Sequence, residues 1–142
     1  MFKSIIVPLD LENEVESKAL FASALEIARN TGAQLNVLTV VPSFSMPMVA
    51  SFFPPDFEKK ALAGALASLT EFVAGQNGSD VVEKTLVGHG SVYKEIVGAA
   101  EEIKADVIVL GPGSAESGDY LLGHNAARVM RHAHCSVMLL RD

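Results

Sequence analysis

Five short strand-like runs rich in β-branched residues, separated by stretches with helical periodicity, constrain this chain more than any other feature. They are Ile5-Ile6-Val7, Leu35 to Val41, Val81 to Val87, Val107 to Leu110 and Val137 to Leu140. A strand that is apolar without alternation is buried on both faces. Such strands, alternating with amphipathic helices, predict a parallel sheet covered by helices on both sides. In folds of this kind ligands bind beyond the C-terminal ends of the strands, where strand order reverses, so the loops after the first and fourth strands are the places to search.

The intervening stretches supply the helices. Leu20, Ala24, Ile27, Ala28 and Thr31 form a stripe over about 15–31, which Gly32 closes as a C-cap would. Leu62, Leu66, Leu69 and Val73 form a second stripe, ended by the turn Gly75-Gln76-Asn77-Gly78. Gly88-His89-Gly90-Ser91 breaks the strand pattern, and Ser91 is the expected N-cap of a third helix carrying Val92, Ile96, Val97, Ala100 and Ile103. A Gly/Ser-rich loop over 111–122 leads to a short helix over about 123–133. The segment 42–55, rich in Pro, Ser, Phe and Met, reads as a packed connection or flap.

The 142 residues, 49% of them hydrophobic, predict one domain over 1–142 with one substantial core. Eleven Lys and Arg against 17 Asp and Glu give a net charge of -6, which opposes binding to nucleic acid. Cys135 is the single cysteine, so no intramolecular disulfide exists. Met1-Phe2-Lys3-Ser4 runs directly into the first strand without a signal-peptide pattern, and no apolar run approaches the roughly 20 residues of a bilayer span. A cytoplasmic protein is the expectation.

Chemistry is concentrated at Gly111-Pro112-Gly113-Ser114 and at Gly123-His124-Asn125. Glycines let backbone N–H groups approach a phosphate, and a helix N-terminus adds donors and a favourable dipole. The alternative is a surface loop whose glycines relieve turn strain. His124 can donate to a phosphate oxygen, serve as a base in slow hydrolysis, or be an exposed loop histidine. His132, His134 and Cys135 carry zinc-ligand atoms, but no second ligand pair follows them, and no metal site is expected. Cys135 reads as a small buried residue, and Glu101 and Glu102 as a solvated helix face. No Walker-type motif or Ser-His-Asp order is present, so any ATPase activity would be slow.

Several ordered segments resemble the universal stress protein family across essentially the whole chain. They are the Ile5-Ile6-Val7-Pro8-Leu9-Asp10 opening, Thr31-Gly32-Ala33, Gly88-His89-Gly90-Ser91, Ala105 to Gly111, and Leu121-Leu122-Gly123 through Arg131-His132-Ala133. The resemblance is greatest to the bacterial short-chain, single-domain members. It implies an α/β fold of the adenine nucleotide alpha hydrolase-like type: a doubly wound five-stranded parallel sheet, order 3-2-1-4-5, with helices on both faces.

The resemblance also implies a stress-response regulatory protein that binds ATP or AMP, the triphosphate with Mg2+. Asp10, beside Leu9, would face the ribose or adenine, Val41 would offer backbone contacts to the base, and Pro8 and Leu110 would form apolar walls. Gly111, Gly113, Ser114, Gly123, His124 and Asn125 would surround the phosphates. Nucleotide-binding members carry G-x2-G-x9-G-[S/T]. Here Gly113 keeps the nine-residue interval to Gly123, only Pro112 separates Gly111 from Gly113, and His124 replaces the hydroxyl residue. Family members commonly dimerise through the last strand, here 136–140. A nucleotide-independent dimeric adaptor and a slow ATP hydrolase remain alternatives, with the protein partner unidentified.

Overall fold

The computed structural model describes residues 2–41, 56–113 and 123–141. Their elements are β1 (Ser4–Pro8), α1 (Glu14–Thr31), β2 (Gln34–Val41), α2 (Phe57–Gly75), β3 (Val82–His89), α3 (Val92–Glu102), β4 (Val107–Leu110), α4 (His124–His132) and β5 (Ser136–Leu139). Every strand pair is parallel, and the order is β3-β2-β1-β4-β5, as the resemblance implied.

Successive residues of β1 and β4 enter different cores, which is why these runs lack polar alternation. Ile5, Val7, Val107 and Val109 pack with Phe21, Ala24, Leu25 and Ala28 of α1 and with Leu69 and Val73 of α2. Ile6, Ile108 and Leu110 pack on the opposite face with Ile96 and Ala100 of α3 and with Ala126 and Val129 of α4. Right-handed crossovers require this division. The connections β1 to β2 and β2 to β3 run one way along the sheet, and the later ones run the other way.

Gly32 closes α1 in the left-handed conformation, φ 74°, and its N–H donates to the Ala28 carbonyl. Ser91 is the N-cap of α3, but its side chain makes no capping bond. Four local expectations need correction. Gly88 and His89 do not break the third strand: they extend it, opposite Val40 and Val41. That strand starts at Val82, and its Glu83 and Lys84 are exposed because it lies at the sheet edge. Leu66 keeps 43% exposure, since only the second half of α2, through Leu69 and Val73, reaches full burial. Thr31 is exposed at the end of α1, where its Oγ1 donates to the Ile27 carbonyl.

One buried polar side chain lies inside β2. Asn36, 2% exposed, donates through its amide to the Ile5 carbonyl at 3.0 Å and to Ser4 Oγ at 3.2 Å, and the β2–β3 register shifts between Leu35 and Asn36. At the N-terminal edge of the sheet Asp106 accepts the N–H groups of Lys3 and Ser4 at 2.7 and 2.9 Å. These two bonds hold its carboxyl below the usual range.

A carboxylate lowered in the folded state stabilises above its unfolded pKa, and that contribution disappears as pH falls through the folded value. Asp106→Asn should therefore lower the urea midpoint at pH 7. The gap to the parent should narrow as the pH is taken below about 4. A constant gap across that range would show that the charge of Asp106 does not contribute.

Candidate functional site

The direction of crossover reverses between β1 and β4. The chain leaves β1 for α1 on one face and leaves β4 for α4 on the other, so the point where strand order reverses lies at their C-terminal ends. Pro8 ends β1, Leu9 is buried and Asp10 is exposed. Leu110 ends β4 and is buried, Gly111 and Pro112 are partly buried, and Gly113 is exposed. A Cβ on Gly111 would lie 3.9 Å from Leu20 Cδ2 of α1, so the exit of β4 packs near α1, and β1 and β4 are direct neighbours in the sheet.

The turn carrying Asp10 is fixed from three sides. Leu9 N–H donates to the Leu38 carbonyl at 2.7 Å, and buried Thr39 Oγ1 donates to the Leu9 carbonyl at 2.9 Å. Buried Ser17 Oγ donates to the Asp10 carbonyl. One carboxylate oxygen of Asp10 accepts the Glu12 N–H at 3.1 Å, in an Asx-type turn, and the residue is exposed. Ser17 and Thr39 were not recognised from the sequence. Their signal was a hydroxyl residue at a position that helical or strand packing would otherwise make apolar.

The glycine-loop end has a different character. Gly113 adopts φ +86°, and a Cβ there would lie 3.0 Å from Gly123 Cα and 3.2 Å from Gly123 N. Both the conformation and the contact demand glycine. Gly123, buried, is the N-cap of α4, and its N–H donates to the Pro112 carbonyl at 2.6 Å. His124 and Asn125 open the helix and are exposed. Ser114 lies outside the described residues, as do 42–55 and the rest of the 114–122 loop.

Val41 stands at the end of β2, opposite His89, and its carbonyl accepts the Gly90 N–H at 3.0 Å. Just beyond, His89 Nδ1 lies 3.0 Å from Glu58 Oε1, and the His89 N–H donates to Glu95 Oε1 at 2.8 Å. These contacts tie the starts of α2 and α3 to the edge of the sheet. Pro8, Leu9, Asp10, Val41, Leu110, Gly111, Gly113, Gly123, His124 and Asn125 thus all occupy the C-terminal side of the sheet.

The remaining candidates lie elsewhere. His134 Nε2 pairs with Glu101 Oε1 at 3.0 Å, whereas the His132 ring sits against Tyr93, at 5.5 Å between centroids. Among the described residues no three His, Cys, Asp or Glu side chains gather as metal ligands. Cys135 is partly rather than fully buried, and desolvation pushes its thiol up, away from the thiolate form a nucleophile needs. A cavity of about 250 Å3 lined by Phe21, Leu25, Arg29 and Gln76 lies at the far end of α1 from Asp10. No described helix is long and apolar enough to cross a membrane.

Known proteins share this fold and much of this sequence. The model of the universal stress protein family matches residues 1–141. Universal stress protein G of Shigella flexneri is 34% identical over 145 residues, spanning 99% of this chain and 100% of its own. The structure of universal stress protein UspA from Lactobacillus plantarum superposes with a TM-score of 0.73 at 25% identity, covering 99% of this chain and 98% of its own. A universal stress protein in complex with cAMP superposes with a TM-score of 0.69 at 21% identity, covering 99% and 97%.

Proposed function

Because this chain belongs to the universal stress protein family, we propose that it is a regulatory protein of the stress response that binds an adenine nucleotide, AMP or ATP, beside the ends of β1 and β4. The observation that carries the reading is the pinned Leu9–Asp10 turn, set across the strand-order reversal from the Gly111–Gly113 loop and the N-cap of α4. A carboxylate held at such an edge can accept both ribose hydroxyls. Val41 would meet the base, with Pro8 and Leu110 as walls, and Gly113, Ser114, Gly123, His124 and Asn125 would lie toward the phosphate. A relative by fold that is complexed with cAMP supports the same class of ligand.

Asp10 is the single carboxylate among the candidate residues. Mg2+, where it accompanies a nucleotide, would be held chiefly by phosphate oxygens. The same reading has the protein acting in the cytoplasm as one domain over 1–142. It would pair with a second copy through 136–140, where β5 forms an edge and Val137, Met138, Leu139 and Leu140 remain only partly buried.

Titration calorimetry with adenosine and AMP tests the proposal. Asp10→Asn retains an oxygen for the Glu12 N–H and removes the charge, so it should weaken both ligands by about tenfold with little change in the unfolding midpoint. Unchanged affinity would remove Asp10 from the site. A nucleotide-independent adaptor is the second reading, supported by the bond that closes Pro112 on Gly123; absence of heat with every adenine ligand would leave it in place. Slow hydrolysis through His124 is the third, and it requires ATP rather than AMP to occupy the site.

A further inference from the structure

We propose that the outer face of α4 docks a carboxylate-rich segment of a partner protein through Arg128 and Arg131. The surface is separate from the adenine-nucleotide site, to which neither arginine belongs, and its use does not depend on that site being filled.

The chain carries a net charge of -6, yet α4 contains two arginines and two histidines and no Asp or Glu. Its helical period turns Ala126 and Val129 into the core and leaves Arg128 and Arg131 exposed, one turn apart. Met130, 46% exposed, adds an apolar contact beside the charges. Other exposed cations have found carboxylates: Lys18 lies 2.9 Å from Glu14, Arg29 3.4 Å from Asp80 and Lys60 3.0 Å from Asp56. Among the described residues neither Arg128 nor Arg131 has an ion pair, and Glu101, near the end of α3, pairs with His134 instead.

Arg128 is also held in place. Its guanidinium carbon lies 5.4 Å from the centroid of the Tyr93 ring of α3, and that ring packs against His132 at 5.5 Å between centroids. A guanidinium over an aromatic face is attracted through its flat surface, while its N–H donors stay in its own plane for a carboxylate. Tyr93 and His132 thus order the side chain before a partner arrives, which reduces the entropy lost on binding.

The size of the patch selects its occupant. Anionic membranes are recognised by clusters of about four to eight basic residues, and nucleic acid by many phosphate contacts at once. Two arginines on a chain of net charge -6 offer little against the repulsion of such a polyanion. An acidic protein segment demands less. Two carboxylates one turn apart on a partner helix match two arginines one turn apart here, each pair able to form two parallel N–H···O bonds.

The test is fluorescence anisotropy on the full chain with a labelled peptide of Ala and Glu, its Glu residues one helical turn apart, and with the same peptide carrying Gln for Glu. At about 50 mM salt the Glu peptide should bind at least about tenfold tighter than the Gln peptide. Arg128→Ala with Arg131→Ala should lower Glu-peptide affinity about tenfold, and Tyr93→Leu about threefold. Lys59→Ala with Lys84→Ala removes the same charge from exposed positions on α2 and β3 and should bind as the parent does. Thermal midpoints report that each variant is folded.

Equal binding of the Glu and Gln peptides overturns the proposal, because no carboxylate is then recognised. Equal losses in the arginine and lysine double variants also overturn it, since overall charge rather than this face is then responsible. Phosphatidylserine vesicles or a single-stranded DNA oligonucleotide that bind tighter than the Glu peptide, with the advantage lost in the arginine variant, would assign the face to a polyanion instead. A change of oligomeric state in the arginine variant, read by sedimentation, would assign it to a second copy of the chain. Tyr93→Leu binding as tightly as the parent overturns the role of the stacked ring.

Discussion

Phe21→Ala is expected to lower the unfolding free energy by about 3–5 kcal/mol. Phe21 is fully buried in α1 and meets Phe72 of α2 edge to face, with ring centroids 5.7 Å apart. The backbone of Gly78 closes over the ring: a Cβ there would fall 2.4 Å from Phe21 Cζ. The ring therefore fills a space bounded by two helices and a turn, and none of the three can collapse without moving the others. Guanidinium unfolding should show a lower midpoint with an unchanged slope. A loss under about 1 kcal/mol would mean that the site repacks. Gly78→Ala should destabilise as well, because the new methyl displaces the same ring.

Gly113→Val should reduce AMP affinity by at least about tenfold, or about 1.4 kcal/mol. A left-handed backbone costs a residue with a side chain about 1–2 kcal/mol, and more when the side chain is β-branched. The added Cβ would also press on the backbone of Gly123, which cannot yield like the end of a flexible side chain. Either the loop leaves the helix cap or the cap shifts, and both move the α4 N-terminus relative to Asp10. Calorimetry beside a thermal melt separates lost binding from lost folding. AMP affinity preserved in the variant would place the loop outside the site.

Much of the fold was legible because its strands are buried on both faces. Residues such as Ile5, Ile6, Val107 and Ile108 must be apolar regardless of which side each faces, so the runs stand out without knowledge of their neighbours. The edge was harder to read. Gly88 and His89 belong to β3 only because Val40 and Val41 lie opposite them, a pairing that local glycine content conceals. Leu66 matched the helical period but falls where α2 has not yet met the core.

At the candidate site, Asp10 and the Gly111–Gly113 loop could be located from strand order alone. The hydrogen bonds that shape them could not. Ser17 and Thr39 act through backbone carbonyls seven and thirty positions away in the chain. The Pro112–Gly123 bond joins residues eleven positions apart, at the two ends of a loop between β4 and α4.

Asn36 has a consequence for how β2 finds its place. In a half-exposed strand, a slip by one residue turns every apolar side chain to water, and that penalty sets the alignment. With Leu35, Val37, Leu38 and Val40 divided between two apolar faces, β2 has little of this protection. The amide of Asn36 supplies a substitute, since only one alignment brings it to the Ile5 carbonyl and Ser4 Oγ. Any other leaves a buried amide without its partners, at a cost of about 1–3 kcal/mol. A polar atom that contributes little to net stability thus selects one alignment among several of similar hydrophobic burial, and the position of Leu9 and Asp10 against Leu38 and Thr39 depends on that selection.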